Sequence, residues 1–475
     1  MQGVYNNPGD LEKKTKDFFS IPPFLMMENA ARTMADFILS KNAKSVLIIC
    51  GKGNNGGDGY ALARLLLNKV QITVISWEDP AAQEASLQYE MCRKLGIKIV
   101  DKNYSNLEAD IIVDCLYGIG FHGELDSDIR KLFDKLNSLK SLRIACDIPS
   151  GLYFNADFTI TMGELKTALY SDKAKSVCGQ IIVSELGIPR ENFEQALPPD
   201  AFLIEERDMK LPLRNNPSAH KGTYGHTVIF AGEKSGAGII SATAAMNFGS
   251  GLTTLLKTKH SNLEQFKISP ELMISEVLPA KTSCIVVGPG LGTDSESILN
   301  IVNILKNWGD SAEKPCIVFD ADMMTWNGLP DLLQELNKIE NIKIILTPHL
   351  SELSRFIKDI DVKTLADEPE KKLELAAKLN QLYPRTTVIM KSANTFIASE
   401  GKVFICADGV QSLAKGGSGD VLAGMAGALL AQGYSAKDAA ITAVETHALA
   451  AKKAGAANYA MTPEKLIEAI STFVL

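Results

Sequence analysis

The chain has 475 residues, 46% of them apolar and 22% charged. At about 150 residues per domain this is enough for two or three cores, and the composition excludes collagen-like, coiled-coil and wholly disordered chains. Its 49 Lys and Arg against 56 Asp and Glu leave a net charge of -7, without the basic excess that phosphate-backbone binding requires, so nucleic acid is not an expected partner.

The opening MQGVYNNPGDLEKKTK carries acidic residues where a signal peptide needs an apolar stretch, and no export is expected. Short apolar runs ending in Gly, Asp or Pro then alternate with stretches of helical period, the pattern of βα units around a parallel sheet. In the first half the predicted strands are 45–50, 71–76, 110–114, 142–147, 158–162 and 180–184, followed by AFLIEE from 201. A polar segment punctuated by Pro212, Pro217 and Gly222 places the domain boundary near residue 208. The pattern restarts with strands 226–231, 252–257, 284–287, 316–319, 342–346, 386–391 and 402–406, and ends in helices over about 418–455 and 462–471. The run VLAGMAGALLA, 421–431, lies between Asp420 and Gln432 and falls short of the roughly 20 residues of a membrane span, so a buried helix is expected and a membrane is not a partner. Eight cysteines, with no CxxC spacing and several inside apolar runs, read as reduced core thiols of a cytoplasmic protein.

The first strand runs into GKGNNGGDG, 51–59, and then a helical stretch, which puts backbone amides at a helix N-terminus suited to an anion. GKGNNG matches GxGxxG, with Glu78 and Asp79 where a dinucleotide-binding acid would hold a ribose, so a dehydrogenase reading stays open. Against it stands Asp58, a carboxylate that would repel a pyrophosphate, unless it serves as a helix cap beside a glycine turn. Two more strands end in carboxylates, VDCLYGIG with Asp114 and DIPSG with Asp147 and Ser150. An oxygen-rich cluster of this kind holds a hard cation or supplies an acid or base, while each Asp taken alone also suits a turn cap. In the second half GGSGD, 416–420, precedes a long helix. Its amides suit the charge of a transferring phosphoryl group and Asp420 suits the proton of an attacking hydroxyl. There is no Walker loop. VVGPGLG (286–292), MKSANTFIA (390–398) and LTPHLSEL (346–353) add a close backbone approach, Lys391 with Thr395, and His349; each also has a purely structural explanation.

NNGGDG, VDCLYGIG and DIPSG, followed by TITMGELK and ELGIP, resemble the YjeF N-terminal family of NAD(P)HX epimerases over about residues 5–205. The resemblance implies that Asn54, Asn55, Gly56, Gly57 and Asp58, together with Gly118, Ile119, Gly120, Phe121, His122, Gly123 and Glu124, contact a hydrated nicotinamide nucleotide. It further implies that Asn55, Asp114 and Ser150 bind K+ and that Asp147 stands at the reacting ring. This chain has Tyr117-Gly118-Ile119-Gly120 where the family has a Phe-Gly-Thr-Gly type of loop. From about 209 to 475, HKGTYG, GPGLG, the His349 segment, KSANT and GGSGD resemble ADP-dependent NAD(P)HX dehydratases of ribokinase fold. That implies an adenine nucleotide on Lys391, Ser392, Ala393, Asn394, Thr395 and Gly419, and a hydrated-nucleotide pocket lined by Gly238, Gly290, His349 and Asp420. The departures are His349-Leu350-Ser351-Glu352 in place of HPGE, and AGEKSGAG in place of a GGS-type loop.

The sequence therefore predicts two α/β/α domains: a Rossmann-like one over 1–208 and a ribokinase-like one over 209–475. As the resemblance has it, they repair NADHX and NADPHX by epimerisation at Asp147 and by ADP-dependent, Mg2+-assisted dehydration at Asp420, in a homo-oligomer. The alternatives are an ATP-dependent small-molecule kinase with a regulatory N-terminal domain, for which no sugar-recognition signature is present, and a noncatalytic nucleotide-binding scaffold. Asp58, Asp114, Asp147 and Asp420 together argue against the scaffold.

Overall fold

Strands apolar on both faces belong in parallel sheets with helices on each side. In the computed structural model, which describes residues 1–121, 123–357 and 361–474, the apolar runs take that place. The chain divides into two units, Gly3–Asp200 and Ala201–Leu475 with Met1–Gln2.

The strands up to Asp200 are β1 (Gln2–Tyr5), β2 (Ser45–Cys50), β3 (Gln71–Ser76), β4 (Ile99–Asp101), β5 (Ile111–Cys115), β6 (Leu142–Cys146), β7 (Phe158–Met162), β8 (Leu165–Lys166) and β9 (Gln180–Ser184). Seven form one sheet in the order β4-β3-β2-β5-β6-β7-β9. All its pairs are parallel, with Ile48 opposite Val113 and Ile160 opposite Ile182. β1 and β8 pair in parallel outside this seven-stranded sheet, Tyr5 opposite Lys166. Alternate residues of one strand feed opposite cores. Val46 and Ile48 pack with Met27, Ala31 and Met34 of α2 (Pro23–Ser40), which follows α1 (Pro8–Phe19), whereas Leu47 and Ile49 pack with Phe133 and Phe154 on the other face. The strand order reverses direction between β2 and β5, so the loops leaving their carboxyl ends diverge and open a crevice.

The second unit holds β10 (Ala201–Leu203), β11 (His226–Ala231), β12 (Leu252–Lys257), β13 (Met273–Ser275), β14 (Cys284–Val287), β15 (Cys316–Phe319), β16 (Lys343–Leu346), β17 (Thr386–Met390), β18 (Thr395–Ser399) and β19 (Lys402–Cys406). They lie in the order β13-β12-β11-β14-β15-β16-β17-β18-β19-β10, parallel except that β18 runs antiparallel to both neighbours. Here the order reverses between β11 and β14. One face is covered by the Ala- and Gly-rich helices Ser235–Asn247 and Ser418–Ala431, whose small side chains let backbones approach closely in a shared core with Ile229 and Val286.

Every predicted strand forms, most with ends shifted by at most a residue; AFLIEE shortens to Ala201–Leu203. The stretch expected to be helical from 418 to 455 is two helices, Ser418–Ala431 and Ala436–Lys453, separated by a turn in which Gly433 has φ +95°. All eight cysteines are free and buried. Among the described residues no helix is long and apolar enough to cross a membrane.

Candidate active sites

In the first unit the loops after β2, β5 and β6 meet at the carboxyl edge. Helix α3 (Asn54–Leu66) begins with Gly53 as its N-cap. Asp58 is therefore not a cap but an interior residue of the second turn, buried, with its carboxyl pushed well up by burial and then by Asp147 and Glu12. A Cβ on Gly56 would collide with the Gly51 carbonyl, and one on Gly59 would lie 2.6 Å from the Cys50 Sγ, so this helix sits on the sheet at backbone distance. Asn54 is exposed, whereas both amide atoms of Asn55 are buried without a hydrogen-bond partner among the described residues. A side chain on Gly118 would meet the Asp147 Oδ2 at 3.1 Å and the Asn55 Cγ at 3.6 Å, so Asn55, Gly118 and Asp147 face one point.

Asp147 has φ +71°, a left-handed conformation costly for any residue but Gly, Asn or Asp, and one that persists where surroundings enforce it. Those surroundings are the Ile119 amide, which donates to Oδ2 at 3.2 Å, and the Lys166 ammonium, 2.7 Å from Oδ1. Burial works to raise the Asp147 carboxyl, but Lys166 and the amides outweigh it and hold the group below the usual carboxylate range. Asp114 is buried and accepts from the Leu116 amide at 3.1 Å, the Ser150 amide at 2.8 Å and the Ser150 hydroxyl at 2.8 Å. Burial still lifts it to about 6. It ties the loop after β6 to β5. Tyr117 stacks on Phe121 at 4.4 Å, and its hydroxyl donates to Glu78 at 3.4 Å, which also pairs with Lys52 at 3.0 Å. The acid that opened a dehydrogenase reading is thus held by protein partners. Glu124 points outward and pairs with Arg130 at 2.8 Å, away from the Asp147 group, and His122 lies outside the described residues.

In the second unit the carboxyl ends of β14, β15, β16 and β17 converge. Lys391, just after β17, donates to Asp320 Oδ1 at 2.9 Å, and Thr347 donates to the same oxygen at 2.6 Å. A side chain on Gly419 would sit 3.2 Å from the Lys391 Nζ, which brings the glycine loop to this pair. Asp420, in the first turn of helix Ser418–Ala431, is raised to about 7 by burial, then by Asp320 and Asp322, against the pull of Lys391. Between those two aspartates Ala321 has φ +46°, and Asp322 accepts from the Gly292 amide at 2.8 Å. The loops after β11 and β14 meet where the Lys234 amide donates to the Gly290 carbonyl at 2.9 Å. Gly238, in the first turn of helix Ser235–Asn247, faces the strand, where a Cβ would lie 3.2 Å from the Phe230 carbonyl. His349 caps helix Leu350–Phe356 in a reciprocal arrangement with Glu352, and its backbone bridges to Lys391. Burial and then Lys391 lower its ring. Ser392, Ala393 and Asn394 form the turn between β17 and β18, where the Ser392 hydroxyl donates to the Asn394 carbonyl at 2.6 Å and accepts from Lys372 at 2.8 Å; Thr395 opens β18.

Sequence reasoning missed Asp320 and Asp322 here and Lys166 and Glu164 in the first unit. The signal for the first two was present in FDAD, a strand ending in paired acids. For the other two, GELK was noticed only as part of a resemblance.

This is the architecture of a two-site α/β enzyme of the nucleotide-handling kind. A family model described as NAD(P)H-hydrate dehydratase matches residues 227–472, and one described as YjeF-related protein N-terminus matches residues 24–168. The bifunctional NAD(P)H-hydrate repair enzyme Nnr of Helicobacter pylori is 38% identical over 99% of each chain; that of Escherichia coli is 31% identical over 93% of this chain and 87% of its own. A crystallised Bacillus subtilis ADP/ATP-dependent NAD(P)H-hydrate dehydratase, with ATP and Mg2+, covers 57% of this chain and 96% of its own at 24% identity and TM-score 0.47. The chain belongs to the family of bifunctional NAD(P)H-hydrate repair enzymes.

Proposed function

We propose that the unit around Asp147 interconverts the R and S hydrates of NADH and NADPH, and that the unit around Asp420 dehydrates the S hydrate with ADP, giving AMP and phosphate. The observation that carries this reading is the pair of chemically distinct carboxylates. Asp147 is held ionised by a buried lysine, and Asp420 is lifted to about 7, where a base for a hydroxyl proton works best at neutral pH.

In epimerisation the N1 lone pair expels the C6 hydroxyl as water and water returns to the opposite face. Asp147 gives the proton in one direction and takes it in the other, with Asn54 to Asp58 and Gly118 to Glu124 around the nucleotide. In dehydration Asp420 takes the proton of the C6 hydroxyl as that oxygen bonds the β-phosphorus of ADP and the bond to AMP breaks. Phosphate then leaves C6 with its bonding pair, C5 gives up a proton, and the ring double bond is restored. Lys391 to Thr395 and Gly419 hold ADP; Gly238, Gly290 and His349 line the hydrate pocket. Asp320 and Asp322 would hold Mg2+ as hard oxygen donors at this edge, and the ion would supply charge neutralisation for the phosphoryl transfer.

Asn55, Asp114 and Ser150 would hold K+, a reading supported by the buried Asn55 amide oxygen, which has no hydrogen-bond partner among the described residues, and the ion would order these loops. We take the two domains, expected as 1–208 and 209–475, to divide at Ala201, since β10 pairs with β19 of the second unit, and the protein to be a cytoplasmic homo-oligomer. The test is incubation with mixed epimers, with and without ADP, in K+ or Na+, following dihydronicotinamide absorbance. ADP must be required for regeneration, and K+ must speed consumption of the R form. Faster phosphorylation of a sugar or vitamin precursor than repair of the hydrate would establish the small-molecule kinase instead.

A further inference from the structure

Behind Asp147 lies a second carboxylate that the proposed reaction does not use. Glu164 sits in the two-residue turn between β7 and β8, with a side chain 0% exposed. Neither of its oxygens has a hydrogen-bond partner among the described residues. The Lys166 ammonium lies 3.4 Å from its Oε1. That ammonium already spends its three protons elsewhere, on Asp147 at 2.7 Å, on the Thr161 hydroxyl at 2.9 Å and on the Met162 carbonyl at 3.0 Å. Two carboxylates therefore compete for one cation, and the geometry as it stands gives the cation to Asp147. An apolar residue would fill this turn at no desolvation cost, so a buried acid without hydrogen bonds calls for a role.

We propose that Glu164 is a positioning residue for the epimerisation assigned to this unit, acting through Lys166 to set how strongly Asp147 holds its proton. The inference rests on that assignment. While Glu164 is protonated, the Lys166 charge belongs to Asp147, which is then a weak base and rarely carries the proton that epimerisation passes back and forth. When Glu164 ionises, it draws the ammonium toward itself, Asp147 loses part of its compensation, and its proton affinity rises. Burial, opposed by Lys166 and reinforced by Glu12 and Asp147, puts that ionisation at about 8. The other titratable groups facing the cluster are Tyr5 on β1, raised by burial; Glu12 on α1, raised likewise; and Asp58 on α3, raised well above the usual range. Each of these three is shifted toward its neutral form, and the carboxylates within ion-pair distance of Lys166 are Asp147 at 2.7 Å and Glu164 at 3.4 Å, so a change of charge on Glu164 bears on that ammonium directly.

The test compares wild type with Glu164→Gln, which keeps the shape and removes the charge. The readout is kcat/KM for conversion of pure R epimer, measured from pH 6.5 to 9.5 in the full chain. The ratio of wild type to variant is expected near 1 at pH 6.5, rising through about 8 to about tenfold, because one unit of Asp147 proton affinity is a factor of ten in its protonated fraction. Glu164→Asp is expected to restore the rise with a shifted midpoint, and Glu164→Ala to lose it as Gln does. A ratio that is constant across the range in every variant means that Glu164 only fills space, and overturns the proposal while leaving Asp147 in place. Wild type that never exceeds the spontaneous rate at any pH overturns the assignment of the site, and the proposal with it.

Discussion

Replacing Asp420 by Asn removes a single ionisable oxygen pair from the first turn of helix Ser418–Ala431 and leaves every backbone amide of the preceding loop in place. The structure sets both the size and the pH dependence of the loss. Burial, then Asp320 and Asp322, bring the carboxyl to about 7, so at neutral pH roughly half the molecules carry a base whose proton affinity matches the medium. A positioned base of this kind contributes about 10²- to 10⁴-fold, or about 2.7–5.5 kcal/mol of transition-state stabilisation. ADP-dependent regeneration in wild type should rise with pH and level off above about 7, because only the ionised form accepts the hydroxyl proton. Asp420→Asn should lose that rise and fall by the stated factor, while ADP affinity, read by calorimetry, changes little. Asp322→Asn removes a negative neighbour and should move the midpoint toward acid, and through the Mg2+ site proposed there it should also lower the plateau rate. Epimerisation in the same sample reports that the chain is intact. Near-normal ADP-dependent repair by Asp420→Asn, or a wild-type profile flat from pH 6 to 8, would refute the assignment of Asp420 as the base.

Asp147→Asn should fold, since Asn adopts a φ of +71° as readily as Asp and Glu164 remains beside Lys166, yet it should lose epimerisation by at least about 10²-fold and keep ADP-dependent repair of the S form. Conversion of pure R epimer above the spontaneous rate would remove Asp147 from the mechanism. A fragment starting at Ala201 keeps β10, with its Phe202–Phe404 stack at 5.9 Å, and one starting at Met209 does not. The longer piece should be more stable by roughly 2 kcal/mol, or roughly 5 °C in Tm, and equal melting would put the functional boundary near 208. Glu445, buried in helix Ala436–Lys453, is raised to about 8 by burial and by Asp408. The native state then binds more protons than the unfolded one from about pH 4.5 to about 8, and wild-type stability falls as pH rises through that window. Glu445→Gln lacks this fall, so its Tm advantage should be near zero at pH 4 and grow to the equivalent of up to about 5 kcal/mol at pH 9; an offset independent of pH would refute the shift.

What the sequence made legible was whatever a parallel sheet forces into it. Runs such as SVLIIC and CIVV are buried on both faces and announce themselves, and the acids that end them mark the carboxyl edge where Asp114, Asp147 and Asp320 are found. The strands that went unseen are either too short to show a period, as β8 with two residues, or peripheral, as β4 and β13 with three. β18 was hidden for another reason. It reverses direction inside a parallel sheet, joined to β17 by the short polar turn Lys391-Ser392-Ala393-Asn394, the segment that the resemblance gives to an adenine nucleotide. Asp58 also suited a cap because the helical stretch was expected to follow Gly59, whereas the helix begins five residues before that glycine, at Asn54, with Gly56, Gly57 and Gly59 inside it. Glu164 and Lys166 carry no local pattern at all. Their meaning comes from Asp147, which is 17 and 19 positions away in sequence and reaches them only once β6, β7 and β8 have folded.

The seating of α3 at backbone distance also limits how this unit adapts to what it holds. A helix in contact with the Gly51 carbonyl through Gly56 and with Cys50 through Gly59 has no clearance to slide or roll, and glycine at each position costs about 1 kcal/mol of helix stability that only the tight seating offsets. One wall of the crevice is thereby fixed. Accommodation of two epimers, and of nucleotides with and without an extra phosphate, falls to the facing segment that begins at Tyr117. Inherited variation that retunes selectivity should accumulate there, while the helix opposite stays nearly frozen across descendants.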